Sequence, residues 1–242
     1  MDVSTMKPAY IRIKEEIERQ IYEGVIKVGE KFPSELEMAR KFQVSRETFR
    51  SAVKKLEEEG KVRIKHGVGT FVIRPLDPIP SSIDRLSSTG EMIQNAGLEE
   101  GEQQFSIHME PCQEEWAEFL QMKPGEPAMV IERIRMANDE PVSYNLNILP
   151  YALVGEAFER SPLKGSLMKY MAKECSVQLT SANTEIIVPL AADPHVKKLQ
   201  VHKDVTVILL KQTHFDQNHN PVLFSYDYFR NDVFKFWIQR TR

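Results

Sequence analysis

Nowhere in this sequence do about 18 apolar residues follow one another, which excludes a membrane-spanning helix. The opening Met1-Asp2-Val3-Ser4-Thr5 lacks the charged-then-apolar layout of a secretory signal, so the expectation is a soluble, cytoplasmic protein with no membrane partner. Cysteine is scarce: Cys112 and Cys175 have neither metal-ligand spacing nor a partner motif, and both read as packed or idle thiols. Also missing are a nucleophile elbow, a His-x-x-x-His pair and a glycine-rich loop followed by lysine. The histidines, His66, His108, His195, His202, His214 and His219, are scattered without triad-like spacing. An enzyme is therefore disfavoured, and no catalytic residue, metal or cofactor is expected. Internal repeats and low-complexity segments are absent, and a charged content of 28% is that of a folded globular chain.

What is present is an uneven distribution of charge. The net charge of −3 averages two unlike parts. Met1 to Arg74 carries 16 Lys/Arg against 12 Asp/Glu, whereas the remainder carries 16 against 23. A basic segment joined to an acidic one fits a nucleic-acid-binding module attached to a domain with another partner.

The patterning divides at the same place. Tyr10, Ile13, Ile17 and Ile21 recur at helical spacing, with Pro8 suited to a first turn and Gly24 as a stop, which predicts a helix over about 8–23. Ser34 followed by Glu37 is a capping box for a second helix reaching about Phe42. After the turn Gln43-Val44, Ser45 caps a third helix to about Glu59, buried through Phe49, Ala52, Val53 and Leu56. Val62–Lys65 and Thr70–Ile73 form a hairpin around His66-Gly67-Val68-Gly69. Prolines at 75, 78 and 80 predict an extended linker over 75–84 between domains 1–74 and 85–242. Beyond it, strands are predicted at 128–136, 142–148, 184–188, 205–215 and 222–229, with turns at Asp139-Glu140 and 218–220. Helices are predicted near 91–95, 114–120, 166–173 and 194–199. The fold class expected is α+β with an antiparallel sheet.

On the third predicted helix Arg46, Arg50 and Lys54 share one face, with Glu47 and Thr48 beside its start. Such a face reads bases and phosphates if it enters a major groove, although a merely solvated basic face has the same pattern. The hairpin tip Lys65-His66-Gly67-Val68-Gly69 adds cationic or protonatable groups beside glycines that permit close backbone approach, as a wing does at a minor groove. Phe32-Pro33-Ser34-Glu35, Val44 to Arg50, Leu56 to Gly60 and Gly67 to Val72 resemble, in order and spacing, the winged helix-turn-helix of GntR-type regulators. That resemblance implies binding to double-stranded DNA, with Ser34, Glu35, Arg46, Thr48, Arg50 and Gly67 at positions that contact DNA or support the contact. Ser45, Lys54, Lys65, His66 and Gly69 complete the expected set. Leu36 stands where many relatives carry a base-reading arginine, so the operator sequence is not transferable.

The second part resembles the effector domain of the HutC branch of that family, the UTRA type with a chorismate-lyase-like fold. The resemblance rests on Ile131 to Arg135, Glu140-Pro141, Ile148 to Pro150 and Tyr228 to Asp232. Arg133 and Arg135, two apart on a strand, project to one face and can converge on an anion. Ser87 to Gly90 and Gly165-Ser166 each lead into a helix, where hydroxyls and free N–H groups suit phosphate or carboxylate. Both features have ordinary readings, as caps and as structural salt bridges. The resemblance implies that Ser87, Thr89, Arg133, Arg135 and Ser166 hold the anion of a small, possibly phosphorylated effector. Ser143, Asn145 and Asn147 form a polar strand face, and His214, Tyr226 and Tyr228 are candidate hydrogen-bonding groups, although each also reads as a core residue. Asn145 stands where several sugar-phosphate sensors carry glutamate. The function expected is a repressor, a homodimer on a near-palindromic operator released by its effector; the alternative is a DNA-binding protein whose second domain only dimerises.

Overall fold

The computed structural model describes residues 7–27, 29–65, 67–72, 76–190, 192–199 and 205–241, and divides into two units, Met1–Pro75 and Leu76–Arg242. His66, the side chain of Lys65 and residues 73–75 lie outside the described residues.

In the first unit α1 (Ala9–Tyr22) buries Ile13 and Ile17, as the spacing requires; Pro8 is its N-cap residue. The capping box before α2 (Glu35–Lys41) is formed: the Ser34 backbone and hydroxyl both donate to Glu37 at 2.8 Å. Ser45 Oγ accepts from the Thr48 amide at 3.1 Å and starts α3 (Arg46–Glu58), whose Phe49, Ala52, Val53 and Leu56 fill the core with Met38 and Ala39. The antiparallel pair β1 (Val62–Lys65) and β2 (Gly69–Val72) gains a third partner that periodicity does not announce. Lys31 bridges Phe71, and the Phe32 amide donates to the Thr70 carbonyl at 2.7 Å.

The second unit runs β3 (Ile79–Ser82), α4 (Thr89–Asn95), β4 (Glu100–Pro111), α5 (Glu114–Leu120), β5 (Pro127–Ala137), β6 (Glu140–Pro150), α6 (Tyr151–Arg160), α7 (Leu167–Glu174), β7 (Ser181–Ile187), α8 (Pro194–Lys198), β8 (Val207–Phe215), β9 (Pro221–Arg230) and β10 (Phe234–Trp237). Six of these strands form an antiparallel sheet in the order β4-β5-β6-β9-β8-β7. The α+β class is thus present. Asn138 and Asp139, both at positive φ, make the two-residue turn between β5 and β6, one position before the predicted one.

Part of the expected linker is instead structure. Ile79–Ser82 pairs in parallel with Phe234–Trp237, Ile79 is fully buried, and its amide donates to the Val233 carbonyl at 2.8 Å. The prolines do mark extended chain, but an edge strand tolerates proline where no ladder N–H is needed, and Pro80 is exposed. β4 and α6 also have no counterpart in the sequence reading. β4 is an edge strand with a largely polar sequence, so no apolar alternation reveals it, and α6 follows β6 without an intervening turn signal.

Alternation along the strands sorts the sheet into two faces. Arg133, Asn145 and Asp227 lie in one cross-strand row on one face; Ile134, Tyr144 and Tyr228 lie in a row on the other.

Candidate functional site

In the first unit, α3 presents Arg46, Arg50 and Lys54 to solvent on one face. Two of the three are held. Glu35, at the start of α2, accepts from Arg46 Nε at 2.9 Å and from Arg50 Nη2 at 3.0 Å, and Arg50 also reaches Glu47 at 3.1 Å. Hydrogen bonding to Arg50, then to Arg46, keeps the Glu35 carboxyl below its ordinary range. Lys54 has no ion pair among the described residues. The arginines are therefore ordered by a carboxylate on the preceding helix, while Lys54 is an exposed point charge on the same face.

Ser34 and Ser45 are caps, so each contributes to this face through the helix it starts. Ser45 Oγ also lies 2.8 Å from Thr48 Oγ1, which orients that hydroxyl at the N-terminus of α3. At the hairpin tip Gly67 (φ +72°) and Val68 are exposed, and Gly69 (φ +141°) lies so close to Lys31 that a Cβ would meet its Cε at 2.5 Å. The glycines here serve the backbone: φ in this range is strained for any other residue.

In the second unit, Arg133 and Arg135 leave β5 on the same face and are 6% and 3% exposed. Their surroundings differ. Arg135 is clasped between Glu100 and Glu102, the latter at 3.0 Å. Arg133 donates to the Gly165 carbonyl at 2.8 Å and has no ion pair among the described residues. Burial pushes both guanidinium groups below their ordinary pKa. Nε of each is buried without a hydrogen-bond partner.

Both arginines line a cleft of about 540 Å³, open mouth included, together with Thr89, Asn145, Gly165 and Ser166. Ser166 is the N-cap of α7 and Thr89 the first residue of α4, so hydroxyls and helix starts do converge on the arginines. Of the expected set, Ser87 does not line this cleft; the cap of α4 is Ser88, which does. Tyr228 is on the wrong face. It sits between Asp227 and Phe229, both of which line the cleft, so the pleat turns it to the opposite side. There, with Tyr144, Tyr226, Trp116 and His195, it lines a second cavity of about 790 Å³, mouth included, and donates to Asp193 at 3.2 Å. His214 and Asn147 do reach the Arg133 cleft.

Residues that sequence reading missed complete the cleft. Asp227 accepts from Asn145 at 2.6 Å, and Gln212 and Ser225 bond the same carboxylate. Ser225 and Asp227 are two apart in an otherwise apolar strand, and that alternation was the available signal. Glu100 and Glu102 lie in a polar edge strand with no such contrast. The thiols are packed, Cys112 buried and Cys175 partly so, and both are free. No helix among the described residues is long and apolar enough to cross a membrane.

Residues 9–72 match the bacterial regulatory proteins of the gntR family, and residues 95–235 match the UTRA domain. The HTH-type transcriptional repressor NagR of Bacillus subtilis (strain 168) is 29% identical over 231 residues, covering 95% of this chain and 93% of its own length. The HTH-type transcriptional regulator GgaR of Escherichia coli (strain K12) is 25% identical over 230 residues, 95% of this chain and 90% of that one. The crystal structure of PhnF from Mycobacterium smegmatis shares the fold, with a TM-score of 0.62 at 23% identity, covering 95% of this chain and 99% of that one.

Proposed function

This chain belongs to the gntR family of bacterial regulatory proteins and carries a UTRA domain, and from that premise we propose that it is a repressor whose hold on DNA is set by a small anion bound at Arg133. That it is a transcriptional regulator follows from the family. The anion is supported by one observation above the others: a buried guanidinium that makes no ion pair among the described residues, faces a cleft, and whose burial outweighs its attraction to Glu102 and Asp227. A buried charge is costly unless compensated, and an anionic ligand adds to that compensation. A domain that served only to dimerise would have no use for such a group, which disfavours the alternative reading.

In this proposal Arg133 is the principal contact. Arg135, already neutralised by two glutamates, contributes its unpartnered Nε, and the Thr89 and Ser166 hydroxyls complete the anion's shell. Asn145 acts by holding Asp227 rather than by contacting the anion.

At the DNA, Arg46 and Arg50 read base edges from a geometry imposed by Glu35, Thr48 meets a phosphate or a thymine methyl, and Lys54 anchors the backbone. The glycine-bearing tip, with Gly67 and Gly69, lies along the minor groove, and the basic residues Lys65 and His66 belong to the same contact. Two copies of the chain bind the halves of a near-palindromic operator, and the effector releases them.

The test begins with a duplex selected by the protein from random DNA, followed in fluorescence anisotropy while phosphorylated and carboxylated metabolites are added. Release by one of them is expected, and Arg133→Ala should bind the duplex normally but no longer respond. An undiminished response in that variant would overturn the assignment, and tighter DNA binding with effector would reverse its sense.

A further inference from the structure

The second cavity, on the sheet face opposite Arg133, differs from the cleft in the sign of the charges that line it. β4, α5, β5, β6, α8 and β9 all contribute to its wall, and Glu110, Glu115 and Glu132 are among the lining residues. No lysine or arginine lines it among the described residues. One sheet thus presents arginines to the cleft on one face and carboxylates to the cavity on the other.

The phenol protons along this wall are already committed. Tyr144 donates to Glu132 at 2.6 Å and Tyr228 to Asp193 at 3.2 Å. Tyr226 donates to Glu115, while the Trp116 indole N–H donates to the Tyr226 oxygen. A phenol has one proton, so with each given to a carboxylate the three hydroxyls keep only lone pairs. Tyrosines and carboxylates alike accept from an occupant and do not donate to it. Burial holds His195 below its ordinary pKa, so the ring adds no positive charge near neutral pH.

Two of the three lining carboxylates are answered by lysines that do not themselves line the cavity. Lys198 pairs with Glu132 and lies 4.8 Å from the centroid of the Tyr144 ring; Lys211 pairs with Glu115 at 2.7 Å and lies 4.5 Å from the Phe119 centroid. Each is an ammonium held by a carboxylate and an aromatic ring together. Glu110, partly exposed on β4, has no lysine or arginine partner among the described residues. It meets only the Gln113 amide and His108, both at 3.4 Å. Its carboxylate shares the cavity with the Trp116 and Tyr226 rings, so an ammonium from outside would complete there the arrangement that Lys198 and Lys211 make beside it.

We propose that this cavity binds a small organic cation, a primary amine with an apolar body, whose ammonium pairs with Glu110 and whose body lies against Trp116 and Tyr226. An anion meets three carboxylates there, and a neutral molecule leaves Glu110 unanswered. A metal ion is the poorer fit, because no group of three His, Cys, Asp or Glu side chains among the described residues could hold one. The site is separate from the Arg133 cleft and does not depend on the anion reading.

The experiment uses the protein's own fluorescence. The chain has two tryptophans, so Trp237→Phe leaves Trp116, in the cavity wall, as the sole reporter. In that background the full chain is titrated with benzylamine and phenethylamine, with benzyl alcohol as the neutral analogue and benzoate as the anionic one. The amines should change the Trp116 signal saturably and bind at least about ten-fold tighter than the alcohol, and benzoate should give no saturable change. Glu110→Gln should weaken the amines at least about ten-fold while leaving the response to benzyl alcohol unchanged, and Glu110→Asp, which keeps the charge, should recover most of the loss. Equal affinity for amine and alcohol, tighter binding of benzoate, or undiminished amine binding in Glu110→Gln would overturn the cation assignment. Silence of Trp116 toward both amines at millimolar concentration would overturn the site itself, and the anion cleft would stand untouched.

Discussion

Arg133 and Arg135 leave one strand on one face, two residues apart, yet Arg135 lies between Glu100 and Glu102 while Arg133 makes its one hydrogen bond among the described residues to the carbonyl of Gly165. Equal in sequence, the two arginines are unequal in charge balance. One completes an ion-pair network, and the other makes no ion pair among the described residues and is offset only in part by the more distant charges of Glu102 and Asp227.

Their removal should therefore have opposite consequences. Arg135→Ala strands two partly buried carboxylates and should cost about 2 kcal/mol of stability in urea unfolding. Arg133→Met removes a buried cation whose burial outweighs its attraction to Glu102 and Asp227, so the protein without effector should be no less stable than wild type. A larger loss in Arg133→Met than in Arg135→Ala would contradict the charge balance described here.

On the DNA face, Glu35 is itself acidic but orders two arginines. Glu35→Ala should lower the ratio of specific to non-specific affinity, because the guanidinium forks lose their fixed direction, while non-specific binding is kept or slightly strengthened. Arg46→Ala should abolish specific binding. Lys54→Ala should weaken all sequences alike and reduce the slope of log affinity against log salt by about 1. Equal loss of specificity from Arg46→Ala and Lys54→Ala would remove the distinction between them.

Gly69→Ala places a Cβ against Lys31 at a backbone angle foreign to alanine. The expected result is a displaced hairpin tip, weaker operator binding measured by anisotropy, and a stability cost of about 1–3 kcal/mol. Normal DNA affinity in this variant would argue against the tip as a DNA contact.

The buried His214 gives the stability of the second unit a dependence on pH. Burial pushes its pKa down to about 4 from the ordinary 6.5, so the unfolded chain takes up a proton at a pH where the folded one does not. Stability should hold above about pH 6.5, fall as pH drops towards about 4, and lose about 3 kcal/mol from this group across that window. Asp227, the carboxylate facing the ring, works against the shift without cancelling it. Urea midpoints of wild type and His214→Gln should diverge above pH 6 and converge near pH 4; parallel curves would show that His214 is not the titrating group.

Much of the local structure was legible because single turns of chain carry it. The capping box at Ser34 and Glu37, the cap at Ser45 and the stripe from Phe49 to Leu56 depend on residues within a few positions of one another. The same holds for the arginine pair, whose common face follows from the strand period alone. The strand at Ile79–Ser82 was not legible, because its pairing partner lies about 150 residues away, at Phe234–Trp237.

What the sequence determined by itself is the kind of protein: a basic helical module with one cationic face, followed by an acidic sheet domain with a polar strand face. Those properties are periodic and local, and survive without knowledge of the fold. Which arginine is clasped by two glutamates and which tyrosine turns away were settled only when β4, β5, β6 and β9 came side by side. A side chain's charge and hydrogen bonds are completed by neighbours on other strands, and register alone decides who those neighbours are.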